Sequence, residues 1–265
     1  MIASGLGDLY SKPVSNADWR LSHRLLGTEH SPIVMEIVNA AGGLLEGVAP
    51  QLPGRDPDAV AKLTASIMLS GLGMQAAGSS GPASGGEHLV SHYIDMTAIA
   101  FGEPHDFHGC QVAVGTCATI SLYDELRGAR PEDFDLDRLV GAHPEWPDYE
   151  PVLRTRFEGL EDAVLSHARK MYPTRDDVAA RLTAIFDSWD DLFRDVGETL
   201  RPPAELRAEL ESAECPVRFD QIGVTPERAF RAVAWSKDIR ARYTVLHLAS
   251  ELGVLDDFAK RYTSD

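Results

Sequence analysis

Cysteine is scarce in this chain of 265 residues: it has three, Cys110, Cys117 and Cys215, and no C-x-x-C spacing. That excludes a disulfide framework and fits reduced thiols in a cytoplasmic protein. Long apolar runs are also missing. No stretch reaches the length of a membrane span, and the N-terminus lacks the basic-then-apolar form of a signal peptide. Positive charge is in deficit, with 25 Lys and Arg against 41 Asp and Glu and a formal net charge of −16. Such a field repels phosphate backbones and anionic lipid, so neither nucleic acid nor membrane is expected as a partner. The densest basic stretch, "FRAVAWSKDIRARY", is too short to change that reading. Alternating strand patterns and internal repeats are absent. No G-x-G-x-x-G follows a strand, so the chain carries no dinucleotide-binding fingerprint.

What is present is helical periodicity. "GLGDLYSKPVSNADWRLSHRLLG" has apolar residues at helical spacing, with Pro13 marking a kink or a junction between helices. "SPIVMEIVNAAGGLLEGV" predicts a largely buried helix, and "DPDAVAKLTASIMLSGLGMQAAG" one capped by Asp56 with Pro57 at its first position. After the loop "GSSGPASGG", the Ser84…Glu87 capping box predicts a helix from Gly85, and another starts near His108. Residues 129–160 predict short helices and loops. "RDDVAARLTAIFDSWDDLFRDVGETL" predicts one long amphipathic helix, with further helices in "PPAELRAELESA", "TPERAFRAVAWSKDIR" and "TVLHLASELGVLDDFAKRY". The expectation is an all-α, multi-helix bundle of about ten helices, forming a single domain over residues 1–265.

Four of the nine histidines fall within "SGGEHLVSHYIDMTAIAFGEPHDFHGCQVAVGT". His88 and His92, four apart on a helix, point to one side, and the intervening chain is long enough to return His108 beside them. Two imidazoles and one carboxylate make a common site for a divalent catalytic metal. Spacing leaves the carboxylate open among Asp8, Glu87, Asp95 and Asp106, and His105 reads as a loop residue without a task.

"GPASGGEHLVSHYIDM" and "HGCQVAVGT" resemble paired motifs of the sn-glycerol-1-phosphate dehydrogenases, within the superfamily of iron-containing alcohol dehydrogenases and dehydroquinate synthase. "SGLGDLYSKPVSNADWRL" and "KDIRARYTVLHLASELGVL" are similar to that family's first and last segments, and the four occur in family order. The resemblance implies the fold of the family's C-terminal helical domain. It also implies a divalent metal, zinc first with nickel or iron as alternatives, held by Asp8, His88 and His108. His92 would line the substrate pocket, and Lys12 matches the lysine four residues after the ligand aspartate.

In the family a dinucleotide-binding domain precedes this segment, so the chain is expected to lack it. NAD(P) then enters only if a separate domain supplies its site. Gly81 stands where the family has Arg, Cys110 where it has Glu, and Gly86 where it has Ser. The expected function is a metal-dependent, oxidoreductase-like enzyme whose ion acts as a Lewis acid on a small hydroxy- or keto-substrate. Its partner would be a cofactor-domain chain or a second copy of itself. The alternatives are a nicotinamide-independent lyase, isomerase, hydrolase or cyclase, or a binding protein with a structural metal. A partner would leave an apolar surface near the glycine-rich loop.

Overall fold

The computed structural model describes residues 1–264. Among them there is no strand, and the chain forms fifteen α-helices joined by short 3-10 turns. In order these are α1 (Ile2–Tyr10), α2 (Lys12–Leu26), α3 (Pro32–Gly43), α4 (Pro57–Ala77), α5 (Gly86–Phe101), α6 (His108–Gly128), α7 (Leu136–Ala142) and α8 (Trp146–Arg156). There follow α9 (Glu161–Met171), α10 (Arg175–Asp187), α11 (Trp189–Val196), α12 (Pro203–Ser212), α13 (Pro226–Trp235), α14 (Val245–Glu251) and α15 (Leu255–Ser264). The all-α expectation holds, with more and shorter helices than the periodicity suggests.

The differences have local causes. Pro13 is a junction: α1 ends at Tyr10 and Pro13 occupies the first turn of α2, where its missing N–H costs nothing. The expected long helix over 175–200 breaks at Ser188, whose hydroxyl donates back to the Ala184 carbonyl at 2.7 Å. The break lets Trp189, Leu192, Phe193 and Val196 of α11 re-aim into the core. α3 is amphipathic rather than largely buried. It packs Val34, Met35, Val38 and Ala41 inward and stops at the Gly42–Gly43 pair. α5 starts at Gly86 with Gly85 as its cap, and Ser84 makes no capping bond.

α6 is the axis of the molecule. Every residue from Gly109 to Ile120 is buried, as expected of a helix covered on all sides. α1 and α5 lie against it at backbone distance. A Cβ at Gly109 would sit 1.8 Å from the Ser4 carbonyl oxygen, and one at Gly7 would sit 2.3 Å from the Gly109 oxygen. Where α5 crosses, a Cβ at Gly115 would meet the Glu87 carbonyl oxygen at 2.5 Å. Glycine is therefore required at both crossings. Asp8, His108 and His88 each directly follow or precede a residue at these contacts.

The basic stretch is not a surface patch. Lys237 is buried, donating to Asp238 Oδ1 and Tyr149 Oη at 2.8 Å each, and Arg242 turns onto the carbonyl of Ser84. No described helix is long and apolar enough to cross a membrane. Apolar side chains do stand exposed on α3 and α4: Ile33, Ile67, Met68 and Leu72, with α4 leading directly into the glycine-rich loop.

Candidate metal site

α1, the start of α5 and the start of α6 converge on Asp8, His88 and His108. Each offers one ligand atom, and the three atoms lie within 4.8 Å of one another. His88 Nε2 is 3.1 Å from Asp8 Oδ1. The His88 and His108 ring centroids are 5.4 Å apart. His88 is buried, Asp8 half-buried and His108 exposed, so the group opens to the surface on one side.

Each imidazole is held from behind. His88 Nδ1 meets Glu87 Oε1 at 2.7 Å, and the same oxygen accepts from the Gly85 N–H at 2.7 Å. His108 Nδ1 lies 3.2 Å from Ser91 Oγ and 3.6 Å from Asp95 Oδ2. Gln111 fixes both partners, donating to Ser91 Oγ at 3.2 Å and to Asp95 Oδ1 at 2.7 Å. Carboxylates and hydroxyls on the outer ring nitrogen set the tautomer and aim the inner one, as behind metal-bound histidines generally.

The electrostatics suit a cation. Burial opposes ionisation of Asp8, yet the hydrogen bond with His88 and the charge of Lys12 hold its carboxyl well below the usual range. Burial likewise pulls His88 down, but its bonds to Asp8 and Glu87 prevail and raise it. The pair thus favours positive charge between Asp8 and Nε2, where a divalent ion would replace a proton. One carboxylate and two imidazoles, one side open, fit such an ion and leave coordination positions for substrate or water.

His92 stacks on His108, with centroids 5.7 Å apart and planes at 21°, and its Nδ1 is enclosed without a partner. Burial, with the neighbouring imidazoles His88 and His108, pushes its pKa down to about 4, which keeps it neutral. Lys12 is buried, with Nζ 3.4 Å from Asp8 Oδ2 and 3.0 Å from the Ala83 carbonyl oxygen. His105 is exposed in the loop before α6.

The other carboxylates have other work. Glu87 and Asp95 stand behind the histidines, and Asp106 accepts from the Phe107 N–H at 2.6 Å. Sequence reasoning missed a deeper layer. Asp18, fully buried, accepts from Tyr123 Oη at 2.6 Å and from the Gly86 and Val245 N–H groups at 2.7 Å each. Its burial and the charge of Glu87 push its pKa up to about 7. The Asp-Trp pair of the first segment was the available signal.

No family model matches the chain. It is 28% identical over 255 residues to a glycerol-1-phosphate dehydrogenase of Bacillus licheniformis, covering 96% of this chain and 50% of that protein. A Halalkalibacterium halodurans protein of the same name is 32% identical over 198 residues, covering 64% of this chain and 50% of the relative. One from Staphylothermus marinus is 35% identical over 125 residues, covering 47% and 34%. All three relatives carry NAD(P)+ in their names. The chain spans about half the length of the curated relatives that it matches from end to end.

Proposed function

From the premise that this chain is a relative of glycerol-1-phosphate dehydrogenases, we propose that it is the metal- and substrate-binding half of a polyol-phosphate oxidoreductase. Asp8, His88 and His108 would hold a divalent ion, zinc first. The observation that carries the reading is the convergence of these three side chains, from three helices, beside a neutral histidine and a lysine. When bound, the ion supplies a Lewis acid that lowers the pKa of a coordinated hydroxyl.

The chain's own residues do the rest. Glu87 and Ser91 orient the two imidazoles, and Lys12 steadies the Asp8 carboxylate and the Ala83 carbonyl. His92, uncharged and stacked on His108, is placed to hydrogen-bond the substrate hydroxyl, and its low pKa suits it to orienting that hydroxyl rather than to keeping its proton. Hydride loss from the substrate carbon needs a nicotinamide held against it. The nucleotide-binding half that holds it lies outside the described residues, in a partner chain or in a longer polypeptide. The site's exposed side and the apolar residues Met68 and Leu72 on α4 support a closing partner of that kind.

The test is a titration of reduced nicotinamide into the purified chain, followed by assay with glycerol 1-phosphate. The expected result is no nucleotide binding by the chain alone, and metal-dependent oxidation when a relative's nucleotide-binding half is supplied. Turnover of a hydroxy- or keto-substrate by the chain alone, without nicotinamide, would instead support the reading as a repurposed lyase, isomerase, hydrolase or cyclase.

A further inference from the structure

Between the C-terminal half of α2, the glycine-rich loop and residues 241–243 lies a cavity of about 310 Å³. Its size is that of a small-ligand pocket, and none of Asp8, Lys12, His88, His92 and His108 lines it. Its wall presents donors without acceptors. Trp19 is 9% exposed, yet among the described residues its Nε1–H, which can only donate, has no acceptor. This nitrogen is not sealed in the core as that of Trp189 is, so it can meet a ligand from the cavity. Gly81 keeps it open: a Cβ there would stand 3.1 Å from Trp19 Nε1 and 3.3 Å from Ser79 Oγ. Ser79 Oγ accepts from the Gly81 N–H at 3.3 Å, which leaves its own proton to donate.

The cation of this wall is Arg242. Its Nη1 donates to the carbonyl oxygens of Ser84 and, at 3.5 Å, Ser80, and its Nη2 to Ser80 Oγ at 2.9 Å. All three acceptors are neutral. Among the described residues no carboxylate pairs with this guanidinium, whereas Arg20, Arg181, Arg201 and Arg228 each have one. Burial lowers the pKa of Arg242 against the opposing pull of Glu87 and Asp18, so the cation is short of negative charge. Asp18, 1% exposed at the floor, already accepts from Tyr123 and from the Gly86 and Val245 N–H groups, and Glu29 is exposed. Spare N–H and O–H donors around one unmatched guanidinium suit an anion, and the planar fork of an arginine fits carboxylate and phosphate oxygens.

We propose that this cavity is an oxyanion site, separate from the metal site, which takes the phosphate or carboxylate group of a small molecule between Arg242, the Trp19 indole N–H and Ser79 Oγ. The site stands independently of the reading of the metal trio.

The experiment is calorimetric titration of the metal-free whole chain with inorganic phosphate and with acetate, glycerol serving as the neutral comparison. At least one anion should bind and glycerol should not, and the tighter anion identifies the group. In a nitrogen–proton NMR spectrum the bound anion should shift the Trp19 indole resonance, assigned by its loss in Trp19→Phe. That variant keeps a ring against His30, 4.5 Å away between centroids, and should weaken binding at least about fivefold. Arg242→Gln should weaken it at least about tenfold. Because Arg242 also holds the loop at Ser80 and Ser84, Gly81→Ala covers the case in which Arg242→Gln fails to fold: it removes no donor, crowds the indole N–H and should also weaken binding. Glycerol binding as tightly as both anions, an unshifted Trp19 resonance at saturation, or unchanged affinity in Trp19→Phe and Gly81→Ala would each overturn the proposal. So would the failure of either anion to bind at about 10 mM.

Discussion

At the scale of single residues, what distinguishes this site is the support behind its ligands. His88 owes its orientation to Glu87, whose Oε1 is shared between the ring and the Gly85 N–H. Glu87→Ala is expected to weaken divalent-ion affinity by about 10- to 100-fold while leaving the helical circular dichroism intact. Unchanged affinity in a competition titration would remove Glu87 from that role. Behind it, Asp18 makes the apo protein sensitive to pH. Its folded pKa of about 7 lies above the ordinary aspartate value of 3.8, so between the two the native state keeps a proton that the unfolded chain has lost. The stabilisation is complete below about pH 4 and disappears as pH rises through 7, by at most on the order of 4 kcal/mol. Urea unfolding of metal-free protein should show that decline between about pH 4 and 7, and no further loss from this group above it. Asp18→Asn keeps an acceptor for Tyr123 and Val245 and should flatten the decline. The residue types at the site were legible because His88 and His92 share a helix face and the quoted motifs are distinctive. Glu87 and Asp18 were not, because a carboxylate that caps, ligates or supports has the same one-letter code.

At the scale of elements, the site exists because three helices approach within backbone contact. Gly7 and Gly109 let α1 cross α6, and Gly115 lets α5 do the same. Periodicity found the helices but not the crossings, since a glycine inside a helix reads only as a weakness. The same blindness turned 175–200 into one helix, because an amphipathic pattern does not record a change of direction at Ser188. Two glycine substitutions separate the cases. Gly109→Ala places a methyl group 1.8 Å from the Ser4 oxygen and should drive α1 off α6, lowering the thermal midpoint and abolishing metal binding together. Gly42→Ala, on α3 with nothing within 4 Å, should be neutral or stabilise by up to about 1 kcal/mol. Equal thermal midpoints for the two variants would refute the crossing argument.

At the scale of the whole molecule, the fold class followed from helical periodicity along the chain, the lack of strand alternation, and the four family-like segments in their order. The apolar surface expected near the glycine-rich loop corresponds to α4, where Met68 is 67% and Leu72 55% exposed. That surface is unaccounted for by the described core, and α4, which carries it, packs against α1, the helix of Asp8. Met68→Glu with Leu72→Glu should change folding stability by no more than about 0.5 kcal/mol per substitution, as exposed positions do. The pair should nevertheless abolish activity restored by a supplied nucleotide-binding half. Undiminished activity in that assay would show that α4 is not the docking face.

The account rests on the metal trio, and elemental analysis tests it most directly. Purified chain, exposed in turn to zinc, nickel and iron and then dialysed, is predicted to retain a single divalent ion. Asp8→Asn, His88→Gln and His108→Gln are each predicted to lose most of it without loss of helical structure. A wild-type chain that emerges free of metal from all three, or variants that retain the ion as fully as wild type, would contradict the account.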